Sequence, residues 1–252
     1  YLMVSAGAQL ILEECVELGG NRHNKKKNAA IQINDTHPSL VIPELIRLLC
    51  EKGISFDEAV TIVTSVCAYT NHTILSEALE KWPKHYLQTV VPQLIPIIER
   101  LDSIAKQRTD DRATDIIDDQ QTVHMAHMDI HFTHSTNGVA ALHTNILKNS
   151  ELHHFYKLYP EKFNNKTNGI TFRRWLLKCN PNLTEWIEQL IGPSYKKDAT
   201  QLEKLISFVK DEQVLKELIT IKKKNKKIFA DWLKQTQGVT VNPCSMFAIQ
   251  SK

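Results

Sequence analysis

The run Phe163-Asn164-Asn165-Lys166-Thr167-Asn168-Gly169-Ile170-Thr171-Phe172-Arg173-Arg174-Trp175 crowds amides, hydroxyls and cations between two apolar segments. A side-chain amide carries donors and an acceptor together, so Asn164, Asn165 and Asn168 have the chemistry to read hydroxyl groups. Gly169 allows positive φ and a close backbone approach to a ligand. The combination suits a sugar. The same residue types also make a turn into a helix, with Thr171 as N-cap and Arg173 and Arg174 on the solvated side. Two other polar turns carry this double reading. Asn34-Asp35-Thr36-His37-Pro38 and Tyr69-Thr70-Asn71-His72-Thr73 are either Asx-turns and caps or ligand-facing groups.

Four histidines, His124, His127, His131 and His134, are spaced three, four and three, which on one helix face would suggest zinc. A competing pattern is stronger. Met128, Ile130 and Phe132 alternate with His127, Asp129 and His131, the period of a half-buried strand that splits the imidazoles between faces. No Cys or Glu completes a metal-ligand spacing, so no metal is expected.

The elements that must position these groups alternate. Leu2 to Leu18 reads as a helix closed by Gly19-Gly20, and Ala29 to Ile33 as a buried strand. A helix follows at once, capped by Asp35 or Thr36, with Pro38 in its first turn and Leu40, Val41, Leu45, Leu48 and Leu49 on its apolar face. Strand, polar turn, helix is the unit of an open α/β sheet, where ligands gather at the carboxyl ends of the strands. Asp35 and His37 therefore point at a site. A helix over 56–65 feeds a second short strand that ends in Thr70, Asn71, His72 and Thr73. Further helices are expected over 84–106, bent at Pro92 and Pro96, and over 138–148. Beyond a composition shift near 168–172, helices dominate: 172–177, 183–191, 200–208 and 211–234. Strands over 30–33, 68–71 and 129–132 are expected in one sheet, with Asp35 and His72 at the same edge.

Bulk properties bound the class. The 252 residues are 42% hydrophobic, enough for one large domain or two smaller ones. A net charge of +3 is too small to indicate a nucleic-acid partner. The run Lys222, Lys223, Lys224, Lys226 and Lys227 lies in an amphipathic helical pattern whose buried side is expected to be Leu215, Leu218, Ile221, Ile228 and Phe229. Five widely spaced cysteines fit a reducing cytoplasm. No signal peptide or apolar run of membrane length is present, so no membrane partner is expected. The chain begins at Tyr1 and ends in an apolar alternation near Met246 that reads as the start of a strand; both ends look cut.

Together, Asn-Asp-Thr-His-Pro-Ser-Leu at 34–40, Ala-Tyr-Thr-Asn-His-Thr at 68–73, His-Ser-Thr-Asn-Gly-Val-Ala at 134–140 and Asn-Lys-Thr-Asn-Gly-Ile-Thr-x-Arg-Arg-Trp at 165–175 closely resemble the glycogen, starch and maltodextrin phosphorylases. The resemblance runs through the whole chain in several long, order-preserving motifs. It implies an α/β chain, helix-rich here, that is part of a two-domain doubly wound fold of the glycosyltransferase-B kind. Residues 1–170 would be the later half of the N-terminal domain, lining the sugar site, and 171–252 the first helices of the C-terminal domain. The implied activity is release of glucose 1-phosphate from the non-reducing end of an α-1,4-glucan by inorganic phosphate, with pyridoxal 5'-phosphate as cofactor, in a cytoplasmic homodimer.

By resemblance, His72 contacts the glucose 6-hydroxyl and turns its backbone carbonyl to the anomeric centre, and Asn168 shares that hydroxyl. Thr73 is a supporting neighbour, and Asp35 and His37 line the cleft on the anomeric side. Phe172 stands where many members have proline. The chain stops before the family's phosphate-binding cations and its cofactor lysine, so this segment by itself is expected to be inactive and marginally stable. A non-catalytic glucan-binding module is the alternative; a metal or nucleic-acid protein would require the histidines to converge or the lysines to form one patch.

Overall fold

A computed structural model describes residues 1–17, 29–75 and 79–248. Gly19-Gly20, Lys25 to Lys27 and the last four residues lie outside the described residues. Helix α1 (Leu2–Glu17) precedes strand β1 (Ile31–Asn34), α2 (Val41–Glu51), α3 (Phe56–Val66) and β2 (Cys67–Thr70). Strand β3 (Lys81–Pro83) leads into α4 (Lys84–Val90) and α5 (Ile95–Arg108), followed by β4 (Thr122–His124) and α6 (Met125–His131). Then come β5 (Thr136–Gly138), α7 (Ala141–Ile146), α8 (His153–Leu158), β6 (Phe163–Asn165), α9 (Pro181–Ile191) and α10 (Glu212–Gln237). The described residues divide into two compact units, Tyr1–Asn168 and Gly169–Lys252.

The first unit is built on a four-stranded parallel sheet in the order β1, β2, β5, β6. β3 and β4 form a separate antiparallel pair. β1 turns Ile33 into the core and exposes Gln32 and Asn34, and β2 buries Cys67 and Tyr69 with Ala68 and Thr70 half-buried, so one face of each strand carries the core. Ile33, Cys67 and Tyr69 are sealed in the core with Ile42, Ile46 and Leu49 of α2 and Ile98 and Leu101 of α5. Inside α2, Glu44 is fully buried. Burial pushes its carboxyl up, but hydrogen bonds from Arg47, Ser5 and Tyr1 outweigh this and hold it below the usual range.

Several expectations change. Residues 35–40 form a tight turn and α2 starts only at Val41, with Leu40 at its N-cap position and no side-chain cap; Asp35 and Thr36 do not cap it. The long helix expected over 84–106 is interrupted by a 3-10 turn at Pro92–Leu94, because a proline lacks the N–H that would continue the ladder. Residues 138–148 begin as a strand end and become helical only at Ala141. The strand expected over 129–132 is helix α6. Met125, Ala126, Met128, Asp129, Ile130 and His131 are all buried there, so the helix has no polar face and its 3.6-residue period is erased from the sequence. The third parallel strand is instead β5, a few residues later.

In the second unit, Asn180 caps α9 and Asp211 caps α10, which closes at Gly238 with φ 69°, in the left-handed region glycine favours. Residues 173–178 form a π-helical turn without a Thr171 side-chain cap. The expected buried side of α10 is not buried: Leu215, Leu218, Ile228 and Phe229 are 41%, 37%, 56% and 45% exposed. One neighbouring helix covers only part of such a stripe, and Leu218, Ile221 and Phe229 meet Leu183 and Phe247 across a groove of about 380 Å³. Residues 246–248 form no strand; Phe247 packs edge-on against Phe229, with ring centroids 5.6 Å apart.

Gly138 closes β5 where α7 crosses it. A Cβ there would lie 2.4 Å from Thr144 Oγ and 3.0 Å from Thr144 Cα, so backbone must shift to admit it. Gly138→Ala is expected to lower stability by about 1–3 kcal/mol, the usual cost of overpacking a tight core site. An unchanged denaturation midpoint would show that α7 yields freely.

Candidate functional site

The carboxyl ends of the four parallel strands lie side by side, so the turns that follow them share one edge of the sheet. This edge gathers Asp35 and His37 after β1, His72 and Thr73 after β2, Val139 after β5 and Asn168 after β6. Backbone bonds tie the turns together. Asp35 N–H donates to Thr70 O (2.8 Å), Asn71 N–H to Asn137 O (2.9 Å), Lys166 N–H to Gly138 O (3.1 Å) and Asn168 N–H to Val139 O (3.0 Å). Asp35 has φ 62°, a left-handed conformation uncommon outside glycine and concentrated at functional turns. Asp35 Oδ1 and Thr36 Oγ are buried with no hydrogen-bond partner.

His72 is exposed, and its Nε2 sits 2.5 Å from Asn34 Oδ1. An amide oxygen only accepts, so Nε2 donates to it, and Nδ1 has no hydrogen-bond partner among the described residues. Thr73 N–H donates to Asn71 Oδ1 at 3.0 Å, which curls the chain tightly around residue 72. His37 is also exposed. Its Nδ1 is 2.8 Å from Glu80 Oε1 and its Nε2 3.9 Å from Asp35 Oδ2, so two carboxylates flank the imidazole.

The asparagine turn divides its labour. Asn164 Nδ2 donates to Ser135 Oγ at 2.8 Å, and its Oδ1 accepts from Lys166 Nζ at 2.6 Å. Asn165 Oδ1 accepts from Thr144 Oγ at 2.9 Å and its Nδ2 donates to Thr167 Oγ at 2.9 Å. Both amides help to hold the turn, one of the two roles their residue types allow. Only the Asn168 side chain, exposed at the end of the turn, has no hydrogen-bond partner among the described residues. Asn168 and His72 share the edge without a direct bond between them among the described residues.

Three residues of this site escaped the sequence. His143, on α7, bonds residues 71, 73 and 139. Ser39 and Asp129 meet beneath the first turn: Ser39 Oγ lies 2.6 Å from Asp129 Oδ2 and 2.7 Å from Thr36 O. A hydroxyl has one proton and these are two acceptors, so the arrangement closes only if Asp129 is protonated and donates to Ser39 Oγ, which in turn donates to Thr36 O. Burial, reinforced by the nearby charges of Asp35 and Glu80, pushes the Asp129 carboxyl well above its usual range, in agreement. No spacing in the sequence links residues 39 and 129.

The histidine cluster is laid out by α6, not by a strand. His124 and His127 stack with ring centroids 4.5 Å apart, and His134 lies off the helix. His131 is fully buried with both ring nitrogens engaged: Nε2 donates to Thr114 O at 3.0 Å and Nδ1 accepts from Tyr159 OH at 2.8 Å. His127 Nδ1 is held 2.6 Å from Asp115 O. Among the described residues no three potential ligands are grouped to hold a metal. Chelator treatment of the purified protein is therefore expected to leave its melting temperature unchanged and to remove no stoichiometric zinc; a chelator-dependent drop would overturn this. Among the described residues, no helix is long and apolar enough to cross a membrane.

The family model for carbohydrate phosphorylases matches residues 1–252. The chain is 60% identical over 253 aligned residues to a maltodextrin phosphorylase of Streptococcus pneumoniae, covering all of this chain and 34% of that protein. It is 44% identical over 235 residues to the muscle form of glycogen phosphorylase of Oryctolagus cuniculus, covering 88% of this chain and 28% of that protein. The brain form from Rattus norvegicus gives the same identity and coverage. The chain thus spans about a third of the length of the relatives it matches.

Proposed function

The chain belongs to the carbohydrate phosphorylase family, and from that premise we propose that it is the sugar-reading segment of an α-glucan phosphorylase. The parent protein releases glucose 1-phosphate from the non-reducing end of an α-1,4-glucan by attack of inorganic phosphate. The observation that carries this reading is the shared sheet edge, at which His72 Nδ1 and the Asn168 amide both lack a hydrogen-bond partner among the described residues. One accepts a hydrogen bond and the other both donates and accepts, which suits a single hydroxyl such as the glucose 6-hydroxyl.

In this reading His72 and Asn168 bind the terminal glucose and fix its rotation. The His72 carbonyl, held by the short turn that Thr73 closes, turns its negative end to the anomeric carbon, where an oxocarbenium-like transition state develops positive charge. Asp35 and His37, with Glu80 behind, line the cleft beside it. Contacts to the 6-hydroxyl are remote from the bond that breaks. They act by orienting the sugar so that the fixed carbonyl dipole is aligned when charge appears.

The parent is further proposed to be a cytoplasmic homodimer with the two-domain fold of the glycosyltransferase-B kind and pyridoxal 5'-phosphate as cofactor. Among the described residues, the lysine best suited to that cofactor by its chemistry is not free to hold it. Lys162 is the candidate by chemistry, since burial lowers its ammonium to about 8. However, its Nζ donates to Ile130 O (2.8 Å) and His131 O (3.2 Å) and lies 4.1 Å over the Tyr159 ring, so it serves as a cap on the end of α6.

The test is phosphorolysis of maltoheptaose by the full-length protein with inorganic phosphate. Release of glucose 1-phosphate supports the reading. Binding of the glucan without release would instead support a non-catalytic binding module, and neither would remove both.

A further inference from the structure

We infer that His143 is a positioning residue that clasps together the two hydroxyl readers, so that His72 and Asn168 act as one unit. The inference rests on the proposed sugar site and adds a residue to it. His143 lies in the first turn of α7, outside every motif that marked the site. Its Nδ1 accepts from Val139 N–H at 3.1 Å, so the neutral ring must carry its proton on Nε2. That Nε2–H faces two acceptors, Asn71 Oδ1 at 3.1 Å and Thr73 O at 3.2 Å. Residues 71 and 73 flank His72, and Asn71 is itself fully buried and anchored by its Nδ2 to Tyr69 OH at 3.0 Å.

The other side of the clasp completes the link. Val139, whose N–H is held by His143, uses its carbonyl to hold Asn168 N–H at 3.0 Å. One imidazole thus connects the chain on both sides of His72 to the backbone that places Asn168. Each bond is directional, and only one tautomer satisfies all of them. Loss of the ring would leave the Asn71–Thr73 turn and Val139 joined only through the sheet bond from Asn71 N–H to Asn137 O. The groups that touch sugar would remain, but their joint geometry would not, and small misplacement at such a site is costly to turnover.

The experiment uses the full-length protein. His143→Ala is expected to lower kcat about ten-fold, in line with losing one buried hydrogen-bonded anchor. His143→Gln, whose amide reaches the Nε2 position, is expected to recover most of that loss, while His143→Asn, which reaches only the Nδ1 position, is not. Combined with Asn168→Ala, the His143→Ala loss is expected to be largely absorbed, since the unit is already broken. A His143→Gln enzyme as slow as His143→Ala at a temperature where both are folded, or losses that multiply in the double variant, would overturn the inference. Ring-nitrogen chemical shifts of 15N-histidine-labelled wild type give a readout that needs no turnover. A bare Nδ1 and protonated Nε2 at His143 support the clasp; the opposite tautomer, or a charged ring at neutral pH, overturns it. A wild type that releases no glucose 1-phosphate while showing the expected tautomer would sink the sugar-site reading and leave the clasp standing as a structural link.

Discussion

In the full-length protein, Asn168→Ala is expected to lower kcat/KM for an α-1,4-glucan by about five- to 150-fold, roughly 1–3 kcal/mol of transition-state stabilisation. The neighbouring amides are spent on the turn, but that of Asn168 is free among the described residues, and its backbone N–H is already held by Val139 O at 3.0 Å. Truncating the side chain therefore removes a ligand contact while the turn keeps its backbone anchors. The control is a substrate whose terminal glucose lacks the 6-hydroxyl. For that sugar, wild type and variant are expected to differ much less, because the group being read is already missing and the two losses do not add. A full penalty on the 6-deoxy substrate would mean that Asn168 only shapes its turn.

The stability of the protein is expected to peak near neutral pH and to fall on both sides for different buried groups. On the acid side, burial depresses the His131 imidazole from 6.5 to about 4. Below 6.5 the unfolded chain takes up a proton that the folded state refuses, so stability falls as pH falls, by about 1.4 kcal/mol per pH unit and roughly 3 kcal/mol across the window. His127 is pushed down by burial in the same direction.

Asp129 has the opposite sign. Burial, with the nearby charges of Asp35 and Glu80, pushes its carboxyl well above the ordinary aspartate value in the fold, while the unfolded chain ionises near that value. Its contribution is complete below that value and is lost as pH rises toward the folded pKa, again by up to about 1.4 kcal/mol per pH unit. Between pH 6.5 and 8 the unfolded histidines and Lys162, lowered by burial to about 8, still titrate in part, but they do so alike in wild type and in Asp129→Asn, so the difference between the two slopes reports Asp129. Asp129→Asn keeps a donor toward Ser39 Oγ and cannot ionise, so chemical denaturation is expected to show a flatter limb and a gain over wild type that grows with pH. Parallel wild-type and variant slopes from pH 6.5 to 8 would mean that Asp129 is already ionised in the fold.

Where an element is specified by its own residues, the sequence shows it. β1 and β2 are short runs whose core-facing residues Ile33, Cys67 and Tyr69 are apolar and which break into polar turns where the strands end. α9 and α10 begin at Asn180 and Asp211 because an N-cap needs only its own side chain and the next N–H groups. The motifs at 34–40, 68–73 and 165–175 carry the family, and with it Asp35, His37, His72, Thr73 and Asn168 as candidates. β5 and β6 are three residues each and become strands only by pairing with neighbours, so no local period announces them. α6 is buried all round, and its alternation imitates a strand until the packing is known.

The division of labour within the site also lies beyond local pattern. Asn164, Asn165 and Asn168 are the same residue type in one turn, and what separates anchor from reader is whether Ser135 and Thr144, brought in by other strands and helices, reach the amide. His143 and Asn71 are 72 positions apart and Ser39 and Asp129 are 90. By itself the sequence determined the strands β1 and β2, the start of α10 at Asp211, the family and the residues able to touch a sugar. The tertiary structure alone decided which of those side chains are left free to do so and which buried groups hold them, because a hydrogen bond is assigned by distance in space, and the sheet that brings these partners together is assembled from strands far apart in the chain.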